Sequence, residues 1–295
     1  MLIVGCGDVV RRALPALMRR WKVFALVRAF DPSLRKLGVT QILGDLDQPA
    51  TLRRLAGLAH AVLHSAPPPG SGTSRNDPRT RRLLAVLQGA ASLPRRLVYI
   101  STTGVYGDCA GAVVPETRPL AAATARGQRR VAAERLLRNF GRGSATRVSI
   151  LRAPGIYAAD RLPLERIRRG DPVLAANEDV FTNHIHAEDL ASACIAALER
   201  GGANRAYNIS DDSALPMGDW FDRLADAFAL PRPPRATRAE VKTRLSPMLL
   251  SFMGESRRLD NARMKRELKL RLRYPTVDDG IAAALRSQGN PPCSG

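Results

Sequence analysis

Leu2-Ile3-Val4-Gly5-Cys6-Gly7-Asp8-Val9-Val10 opens the chain with an apolar run, two glycines one residue apart and the start of a helical pattern. The first glycine permits a tight turn after a strand, and the second lets backbone amides approach a pyrophosphate. A helix beginning there adds partial positive charge. Both flanks carry the context such a turn needs. Leu2–Val4 reads as a strand, and Val9, Val10, Ala13, Leu14, Leu17 and Met18 recur at helical spacing with arginines between them. Val10 stands where a third glycine would allow close packing, so the helix is predicted to sit slightly off the strand. Pro15 removes one hydrogen bond inside that helix. Taken alone, the turn is also compatible with a βα turn that binds nothing.

Outward from this turn the alternation continues. Val23–Val27, Thr40–Leu43, Ala61–Leu63, Leu97–Ile100, Val148–Leu151 and Ala206–Ile209 read as short buried strands, with helices over roughly Arg79–Gly89 and Ala125–Phe140. The pattern predicts an α/β fold: a Rossmann doubly wound parallel sheet with a smaller, mostly helical C-terminal substrate lobe. Residues 1–157 and about 181–211 are assigned to the dinucleotide-binding domain. Residues about 158–180 and 212–285, including a helix over Met217–Phe228, are assigned to the lobe. Residues 286–295 read as a disordered tail, and Pro67–Pro78 as a mobile surface loop.

The chain has 295 residues and a formal net charge of +19. Its lysines are only Lys22, Lys36, Lys242, Lys265 and Lys269, so the charge is almost all arginine, spread along the chain. Aromatic residues make up 5%, which leaves little to stack nucleic-acid bases. Specific nucleic-acid binding is not expected, and small anionic ligands suit the charge better. Cys6, Cys109, Cys194 and Cys293 form no CxxC pair and no metal-ligand spacing, so reduced thiols and no metal site are predicted. No run is long enough to span a bilayer, and the N-terminus lacks the features of a signal peptide. A cytoplasmic protein is expected.

The second strand bears on cofactor choice. An acid at its end would bond the adenosine ribose, whereas an arginine accommodates a 2′-phosphate. This strand ends Leu26-Val27-Arg28, which favours NADP over NAD.

Further stretches carry a family resemblance: Gly44-Asp45-Leu46, Val62-Leu63-His64-Ser65-Ala66-Pro67, Ser101-Thr102-Thr103-Gly104-Val105-Tyr106-Gly107, Leu151-Arg152-Ala153-Pro154-Gly155-Ile156-Tyr157, His184–Ala191 and Tyr207-Asn208-Ile209. With the first turn, they resemble the extended short-chain dehydrogenase/reductase superfamily, the NAD(P)-dependent epimerase/dehydratase group, and in particular its atypical members. The resemblance implies cofactor contacts from Gly5, Cys6, Gly7, Asp8 and Val9 at the turn, from Asp45 and Leu46 beside the adenine, and from Ala66 and Pro67 beside ribose and phosphates. Pro154, Gly155 and Ile156 would flank the nicotinamide, and Thr102 falls at the family's catalytic Ser/Thr. His64 and His186 also match family positions and are expected to be structural. A homodimer through the helices near Arg79–Gly89 and Ala125–Phe140 is what the family suggests.

One departure is large. The family carries Tyr-x-x-x-Lys on the helix that follows, before an Ala-Glu pair. Aligned on Ala133-Glu134, those positions are Arg126 and Arg130. Arginine is not deprotonated in a protein, so neither can exchange the proton that accompanies hydride transfer. Arg130 could bond the cofactor ribose and Arg126 an anion on the substrate. Alternatively, both are solvent-facing remnants. Tyr106 and Tyr157 are other phenols that could supply a proton. Three functions follow: an NAD(P)-dependent oxidoreductase or epimerase acting on a carbonyl, alcohol or nucleotide-sugar substrate; a catalytically inactive NADP-binding sensor or scaffold; and a polyanion binder that kept the fold.

Overall fold

A computed structural model describes residues 1–70 and 74–289. Seven parallel strands form the central sheet: β1 (Leu2–Val4), β2 (Phe24–Val27), β3 (Thr40–Leu43), β4 (Ala61–His64), β5 (Arg96–Thr102), β6 (Arg147–Ala153) and β7 (Arg205–Asn208). Their order is β7-β6-β5-β4-β1-β2-β3. Leu2 of β1 stands opposite Phe24 on one side and Val62 on the other. The chain therefore winds outward from β1 through β2 to β3, returns to β4 and winds the other way. That reversal opens a crevice at the C-terminal ends of β1 and β4, where ligands bind in open α/β sheets.

Both faces of the sheet are covered, because its central strands are buried on both sides. On one face lie α1 (Asp8–Met18) and α6 (Ala187–Arg200), where Val10, Leu14 and Leu17 share a core with Leu190 and Cys194. On the other lie α3 (Pro78–Gln88) and α4 (Ala125–Arg142), which contribute Leu83, Leu87, Leu137 and Phe140. Val10, at the third glycine position, is 1% exposed within the first of these cores. Helix α1 runs unbroken through Pro15, which faces outward. A separate cluster draws on α5 (Leu164–Arg168), α7 (Met217–Ala227) and α8 (Arg238–Arg244), with Trp220, Phe221 and Leu224 among its buried residues.

Short pairings bring distant segments to the ends of the sheet. Gly155–Tyr157 pairs in parallel with His184–His186, and Val113–Val114 with Arg258–Leu259. The second pairing places residues 255–257 against the turn that follows β5. There the Cys109 amide donates to the Ser256 carbonyl (3.0 Å), and Arg257 Nη1 donates to the Gly107 carbonyl (2.6 Å).

The strands expected from sequence are present, with β5 and β6 longer than their apolar cores indicated. Helix α6, rich in alanine, was not singled out by periodicity. One expectation is corrected. The tail read as disordered from residue 286 instead begins inside a helix, Val277–Gly289, whose inner residues Val277, Ile281 and Ala284 are buried. The remainder lies outside the described residues, as does part of the loop expected to be mobile. Among the described residues no helix is long and apolar enough to cross a membrane.

Candidate functional site

The turn between β1 and α1 has the shape a dinucleotide needs. Gly5 has φ +92°, and a Cβ there would stand 2.4 Å from the Ala66 amide nitrogen, so both conformation and space demand glycine. Gly7 begins α1 with no side-chain cap, and a Cβ there would meet nothing within 4 Å. The first amides of the helix thus face open space at the sheet's switch point, a geometry that accepts a pyrophosphate. Asp8 sits in this first turn, but its charge is engaged. Arg12 Nε lies 3.1 Å and Arg161 Nη1 3.0 Å from its carboxylate oxygens. Arg12 also reaches Asp160 at 2.7 Å, which ties α1 to the segment after Tyr157.

A cleft of about 480 Å³ continues from this turn. Gly5, Cys6, Arg28, Asp45, Leu46, Ala66 and Pro67, all expected from sequence to touch cofactor, line it together. Arg28 is exposed, with no carboxylate within ion-pair distance among the described residues. The structure adds an acid that the sequence reading missed. Asp31 lies four residues beyond β2, caps the short helix α2 (Pro32–Lys36) and lines the same cleft. The Ser33 hydroxyl and the Arg11 guanidinium hold its carboxyl well below the usual carboxylate range. Its distance from the strand end hid it, because the acid was sought immediately after Val27.

A second cleft, of about 520 Å³, lies at the C-terminal ends of β5 and β6. Thr102, Arg126, Arg130, Pro154, Gly155 and Ile156 all line it. Arg130 is half-buried in that lining, and Arg126 is exposed at its mouth. Arg130 Nη1 donates to the Tyr99 hydroxyl and to the Ile100 carbonyl, both at 2.8 Å. Arg126 lies with its guanidinium 4.6 Å from the centre of the Phe252 ring. Sequence reasoning missed the opposite wall, where Arg161, Arg166, Trp220, Phe221, Phe252, Glu255 and Arg257 complete the lining. These residues are remote in sequence and carry no local motif. Glu255 is the single carboxylate in that lining, and it accepts a 2.8 Å hydrogen bond from Arg257 Nη1.

Beneath the cleft a buried polar network fixes the floor. Arg152 and Glu134 form a bidentate pair (3.1 and 2.7 Å), with side chains 2% and 1% exposed. Ser101 Oγ donates to Glu134 at 2.7 Å, and Arg152 Nη1 donates to the Tyr106 hydroxyl at 2.8 Å. Tyr106 in turn donates to Asn208 Oδ1 (2.7 Å). Neither Tyr106 nor Tyr157 lines the cleft. Burial pushes the Tyr106 phenol up to about 12, and Tyr157 is pushed higher still by burial and donates to the Thr276 carbonyl (3.3 Å). Both are engaged within the fold, which removes them as cleft proton donors. His184 lines the cleft, and its ring lies 4.3 Å from that of Trp220. Burial lowers its pKa to about 3, so it is neutral. His64 Nε2 meets Thr80 Oγ1 at 2.9 Å, and His186 accepts from the Glu188 amide at 3.3 Å, which fits structural roles for both. Among the described residues no cluster of three metal-ligating side chains occurs.

The comparisons with known proteins agree with this geometry. The 2-alkyl-3-oxoalkanoate reductase of Stenotrophomonas maltophilia (strain K279a) is 27% identical over 283 residues, covering 86% of this chain and 85% of the reductase. A conserved protein of unknown function from Silicibacter pomeroyi DSS superposes with a TM-score of 0.81 at 29% identity, over 97% of this chain and 98% of that one. A short-chain dehydrogenase/reductase superfamily protein from Agrobacterium tumefaciens, solved with bound NAD, shares the fold with a TM-score of 0.77 at 19% identity, over 98% and 96% of the two chains. The NAD dependent epimerase/dehydratase family matches residues 3–210, the stretch that runs from β1 through β7 and includes the glycine turn, the Thr102 turn and the Pro154 segment. The chain belongs to the NAD dependent epimerase/dehydratase family.

Proposed function

We propose that this protein is an NAD(P)-dependent oxidoreductase of a small anionic carbonyl compound, with NADP preferred over NAD. The observation that carries the reading is the charge of the second cleft: Arg126, Arg130, Arg161, Arg166 and Arg257 line it with Glu255 as the single acid. Such a wall attracts an anion and repels a cation. The similar reductase acts, by its name, on an oxoalkanoate, which combines a ketone with a carboxylate.

In this reading Gly5, Cys6, Gly7, Asp8, Val9, Arg28, Asp45, Leu46, Ala66 and Pro67 hold the adenosine and pyrophosphate, and Arg130, Pro154, Gly155 and Ile156 hold the nicotinamide end. When bound, the dinucleotide supplies or accepts a hydride. Thr102 holds the carbonyl oxygen, and Arg126 stabilises negative charge without exchanging a proton. Glu255 is the carboxylate within the cleft that could exchange one. The segments 158–180 and 212–285 close the substrate end, and two copies pair through α3 and α4. NADP preference rests on Arg28, which has no acid partner, and on Asp31 being already engaged by Arg11. Replacing Arg28 by alanine should remove about 1–3 kcal/mol of preference for the 2′-phosphate.

The test is calorimetry with NAD and NADP, followed by a hydride-transfer assay at fixed cofactor across matched carboxylate-bearing and neutral carbonyl compounds. Turnover confined to the carboxylate-bearing members is expected, and is lost in Thr102→Ala. Equal affinity for the two cofactors would refute the NADP preference. Cofactor binding without turnover on any member would instead favour a non-catalytic sensor, the reading that the replaced Tyr and Lys support.

A further inference from the structure

We propose that Arg126 is the subsite for the substrate's carboxylate, which makes the substrate a short oxoacid with its acid group beside the reacting carbonyl, not a compound charged at a distant phosphate. The inference rests on the oxidoreductase reading above and adds where the charge sits.

Position comes first. Arg126 lies in the first turn of α4, and that turn is pressed onto the one that carries Thr102. A Cβ on Gly127 would stand 2.8 Å from the Gly104 carbonyl oxygen, and the Gly104 amide donates to Thr102 Oγ1 at 3.3 Å. Arg126 and Thr102 therefore leave adjoining turns and line the same cleft. A short oxoacid can meet both, its carboxylate on Arg126 and its carbonyl oxygen on Thr102.

The second observation is that each of the other cleft cations already donates to a group of the protein. Arg161 bonds Asp8 at 3.0 Å, and Arg257 bonds Glu255 and the Gly107 carbonyl. Arg130 is held by Tyr99 and Ile100, and Arg166 lies 4.3 Å over the Phe221 ring with Nη2 on the Pro172 carbonyl (3.2 Å). Arg126 alone among these five has no hydrogen-bond acceptor and no carboxylate within ion-pair distance among the described residues. Its guanidinium lies 4.6 Å from the centre of the Phe252 ring, and Glu255 acts on its charge from beyond ion-pair distance. A contact with a ring face uses none of the N–H donors of a guanidinium, which can receive a carboxylate through two parallel hydrogen bonds.

Size is the third. A volume of about 520 Å³ is in the range for one modest ligand, and the nicotinamide end of a dinucleotide must share it. Met217, Trp220 and Phe221 form an apolar patch in that lining, beside Thr182, Asn183 and His184, and the patch suits a short hydrocarbon tail.

Trp220 lines the cleft and is one of two tryptophans, so its fluorescence reports occupancy once Trp21 is replaced by phenylalanine. The NAD-loaded protein is titrated with acetoacetate, acetone and UDP-glucose, in the Trp21→Phe background and with Arg126→Gln or Arg126→Lys added. Oxidised cofactor prevents turnover of the two ketones, and NADH absorbance is followed to check that UDP-glucose, an alcohol, is not oxidised during its titration. Acetoacetate is expected to give a saturable change and acetone none. Arg126→Gln should weaken acetoacetate by about tenfold or more, and Arg126→Lys by less, because the charge remains but the fork is lost. NAD affinity by calorimetry should hold in both variants. Acetoacetate binding unchanged by Arg126→Gln, no acetoacetate signal in the NAD-loaded parent, or tighter binding of UDP-glucose that ignores Arg126 would each overturn the proposal. The oxidoreductase reading falls separately, if the parent binds neither dinucleotide.

Discussion

Gly5 and Gly7 are separated by one residue and serve different ends. Gly5 is a requirement of the fold, because its positive φ and its contact with the Ala66 backbone leave no room for a side chain. Gly7 has φ −81° and open space where a Cβ would be, so the fold itself does not need a glycine there. Alanine at the two positions should therefore separate stability from binding. Gly5→Ala is expected to lower stability by several kcal/mol, from backbone strain and a clash with backbone. Gly7→Ala should cost less than about 1 kcal/mol as a poorer helix cap, yet weaken dinucleotide binding markedly by filling the cradle over the α1 amides. Urea unfolding and calorimetry on both variants check this. A Gly7→Ala protein that binds cofactor as the parent does would place the pyrophosphate elsewhere.

At the scale of elements, α4 connects the cleft to the core. Arg126, Arg130 and Glu134 recur every four residues and so share one face of the helix. Along that face the surroundings change from the open cleft, through the Tyr99 hydroxyl and Ile100 carbonyl, to the buried Arg152 pair. The spacing was legible in the sequence, and so was Glu134 as the anchor of the alignment. Its partner was not, because Arg152 stands on β6 and reads locally as one more arginine in an arginine-rich chain. Breaking a buried pair strands a charge where water cannot reach it. Arg152→Met should thus destabilise the protein by about 3–5 kcal/mol, whereas Arg152→Met with Glu134→Gln should recover part of the loss. Denaturant midpoints for the single and double variants measure this. Equal losses in both would mean that the hydrogen bonds of Arg152 Nη1 to the Tyr106 hydroxyl (2.8 Å) and the Glu116 carbonyl (3.0 Å), not its charge pairing, dominate.

For the molecule as a whole, a few buried ionisable groups shape the pH dependence of stability. Burial lowers His64 and His184 to about 3, while in the unfolded chain they titrate near about 6.5. The unfolded state then binds more protons as pH falls below about 6.5, and stability falls with it. Burial raises Asp211 to about 8, against about 3.9 unfolded. Here the folded state keeps a proton that the unfolded chain releases, so stability falls as pH rises from about 4 to 8. Asp179 and Asp189, also raised by burial, act in the same direction. The two sets oppose one another on the acid side. Between about pH 6.5 and 8 the histidines no longer contribute, and a decline with rising pH is expected. Asp211→Asn should flatten most of that decline and raise the thermal midpoint more at pH 8 than at pH 6. A parent midpoint that does not fall between pH 6.5 and 8 would show that Asp211 ionises freely in the folded protein.

The architecture is legible in the residues alone. Short aliphatic strands alternating with helices point to a parallel sheet covered on both faces, and Gly5 marks its first turn through backbone conformation, which is a local property. Thr102, Arg126 and Arg130 are picked out by the family resemblance, through motifs that each lie on a single element. What faces them depends on how distant segments pack. Glu255, Arg257, Trp220 and Phe252 reach the cleft through pairings such as Val113–Val114 with Arg258–Leu259, which join segments well over 100 residues apart. No periodicity or motif encodes such a meeting. Whether an arginine is paired or free is likewise a matter of distance to acids elsewhere in the chain. That is why Arg126, one arginine among many in the sequence, becomes in the folded protein the cleft cation with no carboxylate within ion-pair distance and no hydrogen-bond acceptor among the described residues.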